Sequence, residues 1–167
     1  KQDVVIVIKF HVKIMNNEYY MRLALKEARI AYKNGDVPVG CIIVKDDKVI
    51  AKAHNVRQLK KDTLGHAEIV AIKKACKKLN TWILEDSTIY VTLEPCLMCA
   101  GAILNARIKK LVYATEEPKF GSIESVANVL DNPKYNHFVQ VEKNVLKEEA
   151  SSMLKEFFRE LRNNKNN

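Results

Sequence analysis

The chain has 167 residues, 47% of them hydrophobic, which fits one globular domain around a single core. Its four cysteines are too few for a disulfide scaffold, and its one early apolar run, Val4 to Ile8, is too short to span a membrane and has no signal-peptide cleavage pattern. A net charge of +8 and a pI near 9.3 point to a polyanionic partner, nucleic acid first, although a uniformly lysine-rich surface would give the same totals.

Met15-Asn16-Asn17-Glu18 reads as a natural start, which makes residues 1–14 an extension with no assigned role. Their near-alternation (Ile6, Ile8, Phe10, Val12, Ile14) predicts an added strand. From Asn17 to Asn34 the apolar residues recur at helical spacing, and Gly35 supplies the C-terminal cap. Val39 to Val44 and Val49 to Ala53 flank Asp46-Asp47 as a β-hairpin. Arg57 to Gly65 reads as a polar loop and His66 to Leu79 as a helix.

The second half alternates strands and helices. Thr88 to Leu93 is a strand, Cys96 to Ala106 a helix and Lys110 to Ala114 a strand. Glu116 to Ser125 is a loop, Val126 to Leu130 a short helix, and Phe138 to Val141 a last strand. Val145 to Leu161 is the final amphipathic helix, and residues 163–167 form a polar tail. This order predicts an α/β fold: three layers, α/β/α, with helices on both faces of a mixed five-stranded sheet. The domain spans residues 15–162.

The chemistry concentrates in His66-Ala67-Glu68 and Pro95-Cys96-Leu97-Met98-Cys99. His66, Cys96 and Cys99 offer three zinc ligands, leaving a fourth tetrahedral position for water, as catalytic rather than structural sites do. Cys96 and Cys99, three apart, share one helix face, and Pro95 suits the first helical turn. Glu68, two residues from the ligand His, is free to take a proton from zinc-bound water and deliver it to a substrate. Each half alone is common; together they form the H-x-E…P-C-x-x-C signature of the zinc nucleobase deaminases. Cys41 and Cys76 fall in a strand and mid-helix, where free cysteines are core fillers. Thiols committed to zinc fit a reducing compartment, the cytoplasm.

The sequence resembles the bacterial tRNA-specific adenosine deaminases of the cytidine deaminase-like superfamily. The resemblance runs from Met15 to Arg162 through Tyr20–Leu25, Asp36-Val37-Pro38-Val39-Gly40, Ala53-His54-Asn55, Thr92–Ala102, Asn136-His137 and Phe157-Phe158-Arg159. It implies a hydrolase that edits the wobble adenosine of a tRNA anticodon loop to inosine, one Zn2+ per chain, and a homodimer built on the helix around Ala100 to Arg107. It also implies that Asn55 contacts the purine, that Pro38 and Val39 line the pocket, and that the loop with Glu117 and Lys119 faces the RNA backbone. Two departures stand out. Thr63-Leu64-Gly65 replaces the family's Pro-Thr-Ala, so Gly65 is expected to add backbone freedom. Glu117 replaces an Asp, and its charge is expected to oppose RNA locally. Two other readings stay open: a small-molecule nucleobase or nucleoside deaminase, and a non-catalytic zinc-stabilised RNA-binding module.

Overall fold

A computed structural model describes residues 2–165, with side chains at residues 5, 6 and 16–165. The first helix, α1 (Gln2–Lys33), is longer than expected. The extension does not form a strand; it continues the helix backwards to Gln2. No Gly or Pro occurs before Gly35, so nothing interrupts the i→i−4 ladder, and a short β-branched run cannot decide between the two periods. Gly35, at φ +75°, ends α1 in the left-handed conformation, and Asp36 N–H then returns to Ala31 O at 2.9 Å.

The hairpin follows as β1 (Gly40–Lys45) and β2 (Lys48–His54). Its turn residues Asp46 and Asp47 sit at φ 50° and 56°, the two positive values of a type I′ turn, whose twist matches that of the strands. Next come α2 (Arg57–Lys60), α3 (Ala67–Leu79), β3 (Ser87–Leu93), α4 (Leu97–Asn105), β4 (Lys110–Thr115), β5 (Gln140–Glu142) and α5 (Lys147–Lys165). The sheet order is β2-β1-β3-β4-β5, antiparallel from β2 to β3 and parallel from β3 to β5.

Strand alternation sorts the core into two layers. Cys41, Ile43, Ile89, Val91, Leu111 and Tyr113 face α3 and α4. Ile42, Val44, Tyr90, Val112 and Ala114 face α1 and α5. Both faces are covered, which is why β1, β3 and β4 read as continuous apolar runs. The mixed five-stranded, three-layer sandwich is therefore as expected, and Cys41 is buried in β1.

Four local expectations fail. Arg57–Lys60 forms a short helix instead of a loop, because Asp36 Oδ2 accepts the backbone N–H groups of Gln58 (2.7 Å) and Leu59 (3.3 Å). Residues 126–130 are not helical; the turn falls earlier, at residues 122–125, where a carboxylate described below takes the amides. The last strand lies two residues later than predicted, leaving Phe138 73% exposed. Residues 163–165 of the tail are helical, part of α5.

Gly40 sets the closeness of α1 to the sheet. A Cβ there would lie 1.8 Å from Ala24 O and 2.6 Å from Ala28 N, both backbone atoms that cannot swing aside. Gly40→Ala is expected to lower stability by roughly 1–3 kcal/mol through overpacking, read from the urea unfolding midpoint.

Candidate active site

Two helix starts build the site, one residue later than the sequence implies. His66 is the N-cap of α3 and Cys96 the N-cap of α4, both in extended conformation. Pro95 therefore precedes the cap rather than occupying the first turn. Neither side chain makes a capping hydrogen bond, so the imidazole and the thiol are free to face each other. His66 Nδ1 lies 3.7 Å from Cys96 Sγ and 3.6 Å from Cys99 Sγ. The three donor atoms fall within 4.8 Å of one another, a group able to hold a metal ion.

The electrostatics of this group are those of a cation site. The Cys99 hydrogen bond, followed by His66, draws the Cys96 thiol down to about 4 against the cost of burial. Cys99 is pushed up by its bond to Cys96 and by burial. One proton leaves easily and the second is held until a cation compensates the charge. His66 is raised, first by its bond to Cys96. Glu68, in the first turn of α3, is 4% exposed, and burial pushes its carboxyl up to about 7. A carboxyl near neutrality inside a donor cluster is suited to moving protons.

Asn55 joins the cluster through the backbone. Its Oδ1 accepts Ala67 N–H at 2.9 Å, supplying α3 with the cap that His66 does not. Its own N–H donates to Val39 O at 3.1 Å, and Pro38 and Val39 are buried. Asn55 Oδ1 is thus committed, which leaves the Nδ2 donors for a ligand. Gly65 contributes space rather than freedom: a Cβ would lie 2.9 Å from Arg57 N, and its φ is not positive.

The loop after β4 is pinned to the site by Glu94, only 2% exposed. Glu94 Oε1 accepts the N–H groups of Ile123 (3.1 Å), Glu124 (2.8 Å) and Ser125 (3.0 Å). Its Oε2 accepts Glu117 N–H at 3.0 Å and the Ser125 hydroxyl. Burial alone would raise this carboxyl, but the Ser125 hydroxyl and the backbone donors outweigh it and hold it below the usual range. Gly121 lies against the carboxylate, where a Cβ would come within 2.3 Å of Oε2, and bridges to Cys96. Ser122 N–H donates to Pro95 O at 2.9 Å. Glu117 and Lys119 are therefore held close to Cys96. Glu117 Oε1 accepts Lys119 N–H at 2.9 Å, so its carboxylate is already engaged with the loop.

The sequence reading assigned Glu94 and Asp36 no role. The available signal was a lone acid at the end of an apolar element, beside a proline in Glu94-Pro95 and just before one in Asp36-Val37-Pro38. His54 is not part of the donor group; its Nδ1 pairs with Glu27 at 2.8 Å. His137 Nε2 donates to Ile108 O at 2.8 Å, fixing the loop before β5. A cavity of about 400 Å3, lined by Asn17, Tyr90 and Lys110 among others, lies at the opposite end of the sheet and contains no residue of the donor group.

Comparison with known proteins places this arrangement. A family model described as MafB19-like deaminase matches residues 15–162, so the chain is of the deaminase class. The tRNA-specific adenosine deaminase of Aquifex aeolicus is 50% identical over 150 residues, covering 90% of this chain and 99% of that one. The protein of the same name from Bacillus subtilis is 46% identical, covering 89% and 92%. The chain belongs to the tRNA-specific adenosine deaminase family, and it is an enzyme. A solved structure from a study of A-to-I editing by tRNA:A34 deaminases at the wobble position matches with a TM-score of 0.79 at 40% identity, covering 81% of this chain and 99% of that one. The guanine deaminase of Nitrosomonas europaea shares the fold (TM-score 0.70, 23% identity, 84% and 83% covered).

The clamp predicts an asymmetric result. Glu94→Gln would turn an amide NH2 toward backbone donors and strand at least one of them. It is expected to cost about 1–3 kcal/mol, whereas Ser125→Ala, which removes one bond, costs about 1 kcal/mol. Chemical denaturation of the two variants checks this.

Proposed function

We propose that the chain hydrolyses the wobble adenosine of a tRNA anticodon loop to inosine, using one zinc ion per chain, as a homodimer. The observation that carries the reaction is the convergence of His66, Cys96 and Cys99 beside the buried Glu68. The names of the close relatives support the substrate. Zinc fits the donor set: two thiolates and an imidazole are its preferred ligands. A tetrahedral ion with Zn–N of 2.0–2.1 Å and Zn–S of 2.3 Å would separate nitrogen from sulfur by about 3.6 Å, which agrees with the spacing of His66 Nδ1 from both sulfurs.

His66 Nδ1 and the two sulfurs would hold the ion, which when bound would lower the pKa of water at the site toward neutrality. The chain's residues do the rest. Adenosine and water give inosine and ammonia, so a proton must leave the water and one must reach the departing nitrogen. Glu68 accepts the first, passes it to the purine ring, and then serves the leaving amino group. Its raised pKa lets it hold and release a proton near neutrality. Asn55 Nδ2, the free end of a fixed amide, donates to the purine. Pro38 and Val39 back the pocket, and the Glu94-held loop presents Lys119 to the phosphates. The base must leave the stack to reach this depth, which an anticodon loop permits.

A homodimer is supported by the outer face of α4. On that face Leu97 is 63% exposed and a Cβ at Gly101 would meet no atom, so the surface is open to a partner helix. Among the described residues no helix is long and apolar enough to cross a membrane.

Purified protein is expected to contain one zinc per chain, measured by elemental analysis, with both metal and inosine formation lost in Cys96→Ala. Glu68→Gln should retain zinc and lose at least about a hundredfold in rate. Full activity in the zinc-stripped protein would refute the site. Asn55→Asp keeps the acceptor for Ala67 N–H and replaces the donor. It should fold normally by circular dichroism yet fail to produce inosine in tRNA by mass spectrometry.

A further inference from the structure

The positive charge of the molecule is not spread over it. Between Lys48 and Leu79, the span of β2, α2 and α3, lie nine of the 28 basic residues and two of the 20 acidic ones. The rest of the chain holds 19 basic against 18 acidic residues, close to neutral. A uniformly lysine-rich composition would not produce this division. Of the two acids only Asp62 sets a negative charge near that surface, one against nine. Glu68 is buried, and Asp62 Oδ1 accepts Leu64 N–H.

The nine cations are Lys48 and Lys52 on β2, Arg57, Lys60 and Lys61 around α2, and four lysines of α3 between residues 73 and 78. All nine are exposed. Among the described residues none forms an ion pair with a carboxylate, whereas Arg22, Lys109, Lys110, Lys143 and Lys147 elsewhere all do. Lys74 Nζ donates to Lys52 O at 2.8 Å, so the basic side of α3 lies along the free edge of β2. The strip begins beside the donor group, because α2 lies between Asn55 and His66. It then follows the 13 residues of α3 away from the site, for about 20 Å.

Lysines on an edge strand also discourage strand pairing. That accounts for Lys48 and Lys52 but not for α2 or α3. An unpaired, single-sign stripe that starts at an active site and leads away from it matches a polyphosphate chain whose reacting end is in the site. We infer that this strip is a second RNA-binding surface, which takes the phosphate backbone of the tRNA outside its anticodon loop. The inference rests on the tRNA reading above.

The test uses a triple variant, Lys73→Gln, Lys77→Gln and Lys78→Gln. These positions are exposed, from the middle to the last turn of α3 and away from its first turn at the donor group, and Gln preserves helix propensity. Two probes are compared, a full-length tRNA transcript and its isolated anticodon stem-loop. For full-length tRNA, Kd is expected to rise at least about fivefold at low salt, and the slope of log K against log salt to shrink by about two to three. The rate at saturating tRNA should stay at the wild-type value, and stem-loop affinity should change less than about twofold. An unchanged Kd and slope for full-length tRNA would overturn the surface. Equal weakening of both RNAs would place the contact on the stem-loop and refute the assignment outside it. If the wild-type protein edits neither RNA, yet the variant still reduces the salt slope for full-length tRNA, the editing reading fails and the surface stands.

Discussion

The site depends on two helices giving up their caps. An N-cap side chain normally accepts one of the helix's orphan N–H groups. At α3 and α4 that position is held by His66 and Cys96, and both side chains turn instead toward a common point. The positive ends of two helix dipoles then face one cluster, which favours thiolate and lowers the cost of gathering anionic donors. The lost cap of α3 is restored from outside by Asn55. Because Asn55 is also tied to Val39, the start of the ligand helix and the wall of the pocket are mechanically one piece.

Two buried carboxylates extend the same logic to the loops. Asp36 and Glu94 take backbone N–H groups, Asp36 to shape α2 before His66 and Glu94 to shape the loop beside Cys96. An ionised carboxylate has only acceptor sites, so it can gather several amides that point inward without creating an unpaired donor. A segment without helix or strand of its own, such as residues 116–139, is thereby fixed next to the donor group. Gly121 is required there because the chain passes too close to the carboxylate for any side chain.

The donor group and the unpaired positive charge occupy different parts of the molecule. The donor group lies at the carboxyl end of β3, enclosed by the two helix starts, where the bond to Cys96 and burial raise Cys99 and burial raises Glu68. The uncompensated cations lie outside it, on β2, α2 and the flank of α3, where solvent leaves them charged and their field reaches beyond contact distance. The remaining surface is nearly neutral, and its ion pairs join elements, as Lys147–Glu116 joins α5 to the end of β4.

Much of this was determined by sequence alone. Apolar periodicity specified most of the helices and strands, because burial on both sheet faces imposes it. The candidate donor group of His66, Cys96 and Cys99 was legible because metal chemistry restricts residue type and spacing at once, and the fold brings the three together. Tertiary structure decided what local signals cannot carry. The extension became helix because no residue broke the ladder. Residues 126–130 lost their predicted helix because Glu94, some 30 positions away, captured the preceding amides. That Asn55 caps α3 was not legible until its partner, Ala67 N–H, was in place. In the last two cases the deciding partner lies in another segment, and a hydrogen bond across the fold sets what the segment itself does not.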